Sequence, residues 1–174
     1  TADLDGDQDL DLVFANRSSN GNYVFFNNGA GDFTNSGQSL SSNDSYGVDL
    51  GDVDGDGDID LVIANNGQGN RVYLNNGSGV FSDSAQTIGS SRTRDLKLGG
   101  MDGDGDLDLY CANDVGQSDR LYWNNGSGVF SDSGITLGSN NSNEVAMGDI
   151  DSDGDLDIAV GQGSSQGNKI YVNQ

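Results

Sequence analysis

A chain of 174 residues has room for one ordinary core, and with no histidine it excludes histidine-based catalysis and argues against zinc or copper. A formal net charge of −21 with only seven basic residues excludes nucleic acid and anionic membranes as natural partners, and no apolar run reaches membrane-spanning length, so no membrane insertion is expected. The single cysteine, Cys111, leaves no intrachain disulfide framework; in the run Leu109-Tyr110-Cys111-Ala112 it reads as a small buried hydrophobe.

The first element is an acidic phrase with a carboxylate at every second position, Asp3, Asp5, Asp7, Asp9 and Asp11. It returns in fullest form as Asp52, Asp54, Asp56, Asp58 and Asp60, again with Gly100 in first place before Asp102, Asp104, Asp106 and Asp108, and finally as Asp149, Asp151, Asp153, Asp155 and Asp157. Asp3 to Asp52 is 49 residues, Asp52 to Gly100 is 48 and Gly100 to Asp149 is 49, so the chain is a repeat protein. Carboxylates this crowded repel one another unless a cation stands among them, and the hard, oxygen-seeking ion that suits a flexible acidic loop is Ca²⁺. Counting the first acid of each phrase as position 1, side-chain oxygens are expected from positions 1, 3, 5 and 9 and a backbone carbonyl from position 7. The glycines at positions 4 and 6 supply the tight turns. Up to four Ca²⁺ are expected, with the Gly100 site weaker because its first ligand is missing. Ser152, at position 4 of the last phrase, is expected to be harmless if its φ is negative. Of the 28 acidic residues, 19 lie in these four phrases, so the acidity belongs to the sites.

After each phrase comes a short apolar run: Leu12–Ala15, Leu61–Ala64, Leu109–Ala112 and Ile158–Gly161. Their length and their branched and aromatic side chains predict buried strands. Second strands follow at Tyr23–Phe26, Arg71–Leu74, Arg120–Trp123 and Lys169–Val172. Asn28-Gly29, Asn76-Gly77 and Asn125-Gly126 then predict type I′ hairpin turns, because both residues accept positive φ. Third strands carry Phe33, Phe81 and Phe130 as core plugs. Fourth strands around Val48-Asp49-Leu50, Leu96-Lys97-Leu98 and Val145-Ala146-Met147 lead into the next phrase. Tandem units of four short antiparallel strands predict an all-β fold, a β-propeller of four-stranded blades. About three and a half to four blades fit this chain, as a partial propeller with repeats at 1–45, 46–93, 94–142 and 143–174, the first and last incomplete. Further blades would come from a parent chain or from another copy.

The phrase Asp-x-Asp-Gly-Asp-Gly-Asp-x-Asp, the apolar strand behind it, the Asn-Asn-Gly-Ser-Gly turn and the following Phe resemble the FG-GAP/VCBS repeats, which build propellers similar to the head of integrin α subunits. The resemblance runs over essentially the whole chain. It implies a propeller of about seven or eight blades, with calcium in the loop joining the first and second strands of a blade. It also implies an extracellular or cell-surface location and a role in adhesion, carbohydrate binding or protein recognition. A glycan or an extracellular protein is then the expected partner. The alternative is a structural or self-assembling scaffold segment of a larger surface protein. For a sugar site the available aromatics are Tyr23, Phe26, Tyr110 and Trp123, whereas Tyr73, Tyr122 and Tyr171 recur at one strand position and read as core. The chain is not expected to be an enzyme: its acids are committed to the repeats, and Glu144, the single glutamate, has no evident partner for glycan hydrolysis. Arg92, Arg94 and Lys97 form one basic cluster, read as offsetting neighbouring acids. Asn16, Asn43, Asn76, Asn125 and Asn140 head Asn-x-Ser sequons, meaningful in a secreting eukaryote.

Overall fold

In a computed structural model of the chain, which describes residues 1–18, 20–41, 43–138, 141–163 and 167–174, the regular structure is all β. Asn140 lies outside the described residues. No helix among them is long and apolar enough to cross a membrane. The strands form four consecutive antiparallel sheets. The first holds β1 (Leu12–Phe14), β2 (Tyr23–Asn27) and β3 (Phe33–Asn35). The second holds β4 (Ser45–Gly51), β5 (Asp60–Asn65), β6 (Arg71–Asn75) and β7 (Phe81–Asp83), and the third β8 (Thr93–Gly99), β9 (Asp108–Asn113), β10 (Asp119–Asn124) and β11 (Phe130–Leu137). The fourth holds β12 (Ser142–Gly148), β13 (Asp157–Gln162) and β14 (Lys169–Tyr171). Within each sheet the strands pair in chain order, a meander. Ahead of β1 only an isolated bridge, Ala2 to Asp11, stands where the other sheets have a full leading strand.

The apolar runs are buried on both faces, which is why they show no polar alternation. Along β5, Leu61 and Ile63 pack toward the first sheet, with Leu4, Val24 and Leu40. Val62 and Ala64 pack toward the third, with Leu96, Leu109 and Cys111. In β9 the same division sends Tyr110 and Ala112 toward Val145, Ile158 and Val160 of the fourth sheet. Each fully buried Leu, Ile or Val contributes roughly 1.5–3 kcal/mol. Neighbouring sheets approach most closely at β4, β8 and β12. Cys111 is buried as expected; its Sγ accepts a 3.3 Å hydrogen bond from Asn70 Nδ2, and burial raises its pKa.

Three expectations need correction. The Asn-Gly turns are not two-residue type I′ turns: register pairs Asn27 with Phe33 and Asn75 with Phe81, leaving five residues in each loop. Positive φ falls on the glycines and not on the asparagines, whose side chains instead accept backbone N–H groups, as Asn28 Oδ1 does from Ala30 (3.0 Å) and Asp32 (3.2 Å). Phe81 is buried at 8% exposure and Phe130 packs partly into the core, but Phe33 is 43% exposed. The reason is positional: this phenylalanine packs against the preceding sheet, as Phe81 does against Leu4, Val24 and Leu40, and among the described residues no sheet stands before the first. Finally, Ser152 has φ +67°, so it takes the left-handed conformation that its counterparts Gly6, Gly55 and Gly103 adopt without strain. Ser152→Gly is therefore expected to stabilise the fold by about 1 kcal/mol, read as a higher urea midpoint at unchanged m-value; an unchanged or lower midpoint contradicts this.

Candidate metal centres

Each acidic phrase is the loop between the first and second strands of a sheet, or, for the first phrase, between the Ala2 bridge and β1. Hydrogen bonds inside the loop shape it before any ion is considered. Asp52 at position 1 accepts N–H groups from Gly55 (2.8 Å) and Gly57 (3.0 Å), and Asp3 accepts from Gly6 (2.8 Å) and Gln8 (2.9 Å). Position 5 accepts the N–H two residues on: Asp58 to Asp56 at 2.9 Å, Asp9 to Asp7 at 2.9 Å, Asp106 to Asp104 at 2.9 Å and Asp155 to Asp153 at 3.0 Å.

Three loops gather carboxylates. Oxygens of Asp3, Asp5 and Asp11 lie within 4.8 Å of one another, as do those of Asp52, Asp54 and Asp60 and of Asp149, Asp151 and Asp157. Each group could hold a metal ion, and oxygen-only donors in a glycine-turned loop suit a hard cation of calcium's size. Positions 1, 3 and 9 converge; Asp7, Asp56 and Asp153 at position 5 do not join them. Position 7 turns its side chain away: the carboxylates of Asp9, Asp58 and Asp106 lie against Gly29, Gly77 and Gly126, where a Cβ would come within 2.5 Å of an oxygen. That close approach, together with positive φ, requires glycine in the turn. The third loop, with Gly100 in first place, forms no such group among the described residues, and Asp102 and Asp104 are exposed.

Position 9 is the keystone. Asp11, Asp60, Asp108 and Asp157 are fully buried. One oxygen of Asp60 accepts Val53 N–H at 3.0 Å and the other Asn75 N–H at 2.8 Å; Asp108 does the same with Met101 (2.9 Å) and Asn124 (3.0 Å). Burial nevertheless pushes the Asp60 carboxyl up to about 6, and that of Asp108 upward as well. Burial also raises Asp5 and Asp54, with neighbouring acids adding to the shift. Asp157, beside the face that no sheet covers, is held below the usual carboxylate range by the N–H groups of Ile150 and Asn173.

A further set of residues escaped sequence reasoning. Asn75 and Asn124, which open the second and third Asn-Asn-Gly turns, and their counterpart Asn173 reach back to the acidic loop of the preceding sheet. Asn75 Nδ2 donates to Leu4 O at 2.8 Å, Asn124 Nδ2 to Val53 O at 2.7 Å, and Asn173 Nδ2 to Met101 O at 2.9 Å. The carbonyl comes from position 2, whose side chain plugs the same interface, so the order of an acidic loop is transmitted to the next sheet. Recurrence of that Asn at one repeat position was the available signal. Gln38 and Gln86 tie sheets likewise, each bonding the carbonyl and N–H of the next third-strand turn, Gly79 and Phe81 or Gly128 and Phe130.

At the strand ends away from the acidic loops, Arg92 and Arg94 both pair with Asp114 (3.6 and 2.7 Å), and Lys97 pairs with Asp49 at 3.1 Å, so these basic residues do offset acids. Tyr110 is fully buried and donates to Asp119 at 2.8 Å, which removes it from any surface sugar site; Tyr73 and Tyr122 are buried too. Glu144 is exposed and shares an open cavity of about 460 Å³ with Asp95, a second carboxylate that the sequence did not single out. Both Asp95 oxygens are occupied, by the N–H groups of Leu96 (3.0 Å) and Val145 (3.0 Å).

A family model described as FG-GAP-like repeat matches residues 3–63, 52–98 and 101–160. No curated protein matches the chain.

Proposed function

The chain belongs to the FG-GAP-like repeat family, and from that premise we propose that it is a calcium-binding, extracellular β-propeller module, about three and a half to four blades of a partial propeller. The ions are structural in this reading. They sit among Asp3, Asp5 and Asp11, Asp52, Asp54 and Asp60, and Asp149, Asp151 and Asp157, and they neutralise carboxylates that otherwise repel. The recurrence of one convergent triad in three loops carries the proposal. Gly100→Asp tests it. The new carboxylate would supply the missing ligand and acceptors for the Gly103 and Gly105 N–H groups, at the cost of a small shift of the Asp106 carbonyl, 3.3 Å from an added Cβ. The variant is expected to bind one more Ca²⁺ tightly than the parent in flow dialysis; an unchanged count contradicts the assignment.

Adhesion, carbohydrate or protein recognition is the role proposed for the surface. A polar groove of about 540 Å³ between the first and second sheets, lined by Ser41, Asn43, Gln68, Arg71 and Asp83, offers hydrogen-bonding groups of the kind sugars use. A glycan array probed with calcium-loaded protein tests this, and an array with no signal removes the carbohydrate branch. Catalysis is not proposed: in the cavity that holds Glu144 and Asp95, both Asp95 oxygens accept backbone N–H groups.

A further inference from the structure

We propose that the cleft beside Tyr46 binds a sugar bearing a single carboxylate, with Arg17 and Arg94 as the partners of that carboxylate. The inference concerns neither the metal loops nor the groove between the first and second sheets. Its cationic half draws only on side chains gathered where the first three sheets meet, at the strand ends away from the acidic loops.

Three of the chain's seven basic residues converge on one ring. The guanidinium carbons of Arg17, Arg94 and Arg92 lie 4.4, 4.8 and 5.4 Å from the Tyr46 ring centroid, and Arg92 Nη2 also donates to the Tyr46 hydroxyl at 3.0 Å. Each cation is attracted by the ring, but the three repel one another, so the cluster calls for anions. The protein's own acids answer part of that call. Asp114 accepts Arg94 Nε at 2.7 Å and stands 3.6 Å from Arg92 Nε, which is buried without a hydrogen-bond partner among the described residues. Asp44 accepts Ser18 N–H with one oxygen (2.6 Å) and Asn66 Nδ2 with the other (2.7 Å). Arg17 has no carboxylate within ion-pairing reach among the described residues, so its N–H groups are open to a ligand, as are the Nη groups of Arg94.

Packing does not require this cluster. By the 48- and 49-residue steps Ser45, Thr93 and Ser142 share one repeat position, and all three are buried hydroxyls. One residue on, the same position holds Tyr46, Arg94 and Asn143, three side chains with no chemistry in common. All three line the open cavity of about 460 Å³, together with Arg17, Asp95 and Glu144. The repeats therefore agree where the sheets are built and differ where the cavity is lined.

The lining selects the ligand. A guanidinium fork meets a carboxylate through two parallel N–H donors. On the other wall Asp95 and Glu144 repel a doubly charged phosphate or sulfate, while the Asn143 amide and the Glu144 carboxylate accept hydroxyl groups. No aliphatic side chain lines the cavity among the described residues, so an amino-acid side chain finds no apolar wall there. A ring with one carboxylate and several hydroxyls meets both walls, as a uronic or a sialic acid does. A single negative charge also limits repulsion from a chain of net charge −21, which physiological salt screens beyond about 8 Å.

The test is isothermal titration of the calcium-loaded 174-residue chain with methyl β-glucuronide, a methyl α-sialoside, methyl β-glucoside and acetate. Saturable binding of at least one acidic sugar is expected, and the tighter of the two identifies the source. The glucoside lacks the carboxylate and acetate lacks the hydroxyls, so each should bind about tenfold more weakly. Arg17→Gln, at an exposed position, should weaken the acidic sugar about tenfold with circular dichroism and calcium uptake unchanged; Arg94→Gln replaces it should that variant fail to fold. Arg120→Gln, whose arginine pairs with Asp132 elsewhere on the third sheet, should leave sugar binding unaltered. Sugar held by calcium in the acidic loops would survive Arg17→Gln, and calcium uptake is measured separately, so this proposal and the metal reading can fail independently. No saturable binding of either acidic sugar, glucoside or acetate bound as tightly, an affinity unmoved by Arg17→Gln, or an equal loss in Arg120→Gln each overturns the proposal.

Discussion

Stripping calcium with a chelator at pH 7.5 is expected to lower the melting temperature of the chain by about 20 °C in scanning calorimetry. At a hundredfold excess over Kd, one site contributes about 2.7 kcal/mol to the folded state, and three convergent triads then contribute about 8 kcal/mol, as much as many domains possess in total. The effect has a pH signature. In the metal-free chain, burial raises the Asp60 carboxyl to about 6, against about 3.8 unfolded, and the carboxyls of Asp5, Asp54 and Asp108 move in the same direction. At these carboxyls the folded state then holds protons that the unfolded chain has lost, so their contribution to metal-free stability is greatest below pH 4 and declines as pH rises through 6. With calcium present the ligands must be ionised, and stability rises over that same window. The chelator should therefore matter greatly at pH 7.5 and little at pH 4.5. A transition indifferent to chelation at pH 7.5 contradicts the assignment.

Asp60→Ala is expected to cost about 4 kcal/mol in urea denaturation with calcium present, the largest effect of any single loop substitution. Three losses combine. A converging carboxylate goes, and the N–H groups of Val53 and Asn75 lose their acceptor in a buried place. Val53 and Asn75 themselves hold the neighbouring sheets, Val53 through its side chain and through its carbonyl to Asn124, Asn75 through its amide to Leu4. Asp56→Ala is the control: its carboxylate is exposed, lies outside the converging group, accepts Asp58 N–H and should cost under about 1 kcal/mol. Equal losses at the two positions would refute the keystone role of position 9.

Those two acids show where a one-dimensional reading succeeds and where it stops. The alternation of acids, the 48- to 49-residue step and the short apolar runs are local, and the loops, the strands and their meander order follow from them directly. Leu61-Val62-Ile63-Ala64 announces burial on both faces, but which neighbour receives which residue is decided only by stacking. Position 5 reads as a ligand by spacing; its carboxylate accepts the N–H two residues on, a contact that spacing does not reveal. Asn28-Gly29 carries a hairpin signal, and the hairpin is there, but the asparagine side chain satisfies the loop's N–H groups in place of positive φ. The bond from Asn124 to Val53 spans 71 residues, and no local pattern marks it. Phe33 illustrates the last limit: it repeats a core position, yet burial of that position depends on a sheet outside its own repeat.

The central claim is that acidic loops hold the sheets together by holding calcium. Isothermal titration of calcium into the chelator-stripped chain at pH 7.5 tests it most directly. Saturable uptake at three tight sites is predicted, with any binding at the Gly100 loop weaker. Absence of saturable uptake, or uptake unaltered by removing the carboxylates of Asp3, Asp52 and Asp149, would contradict it.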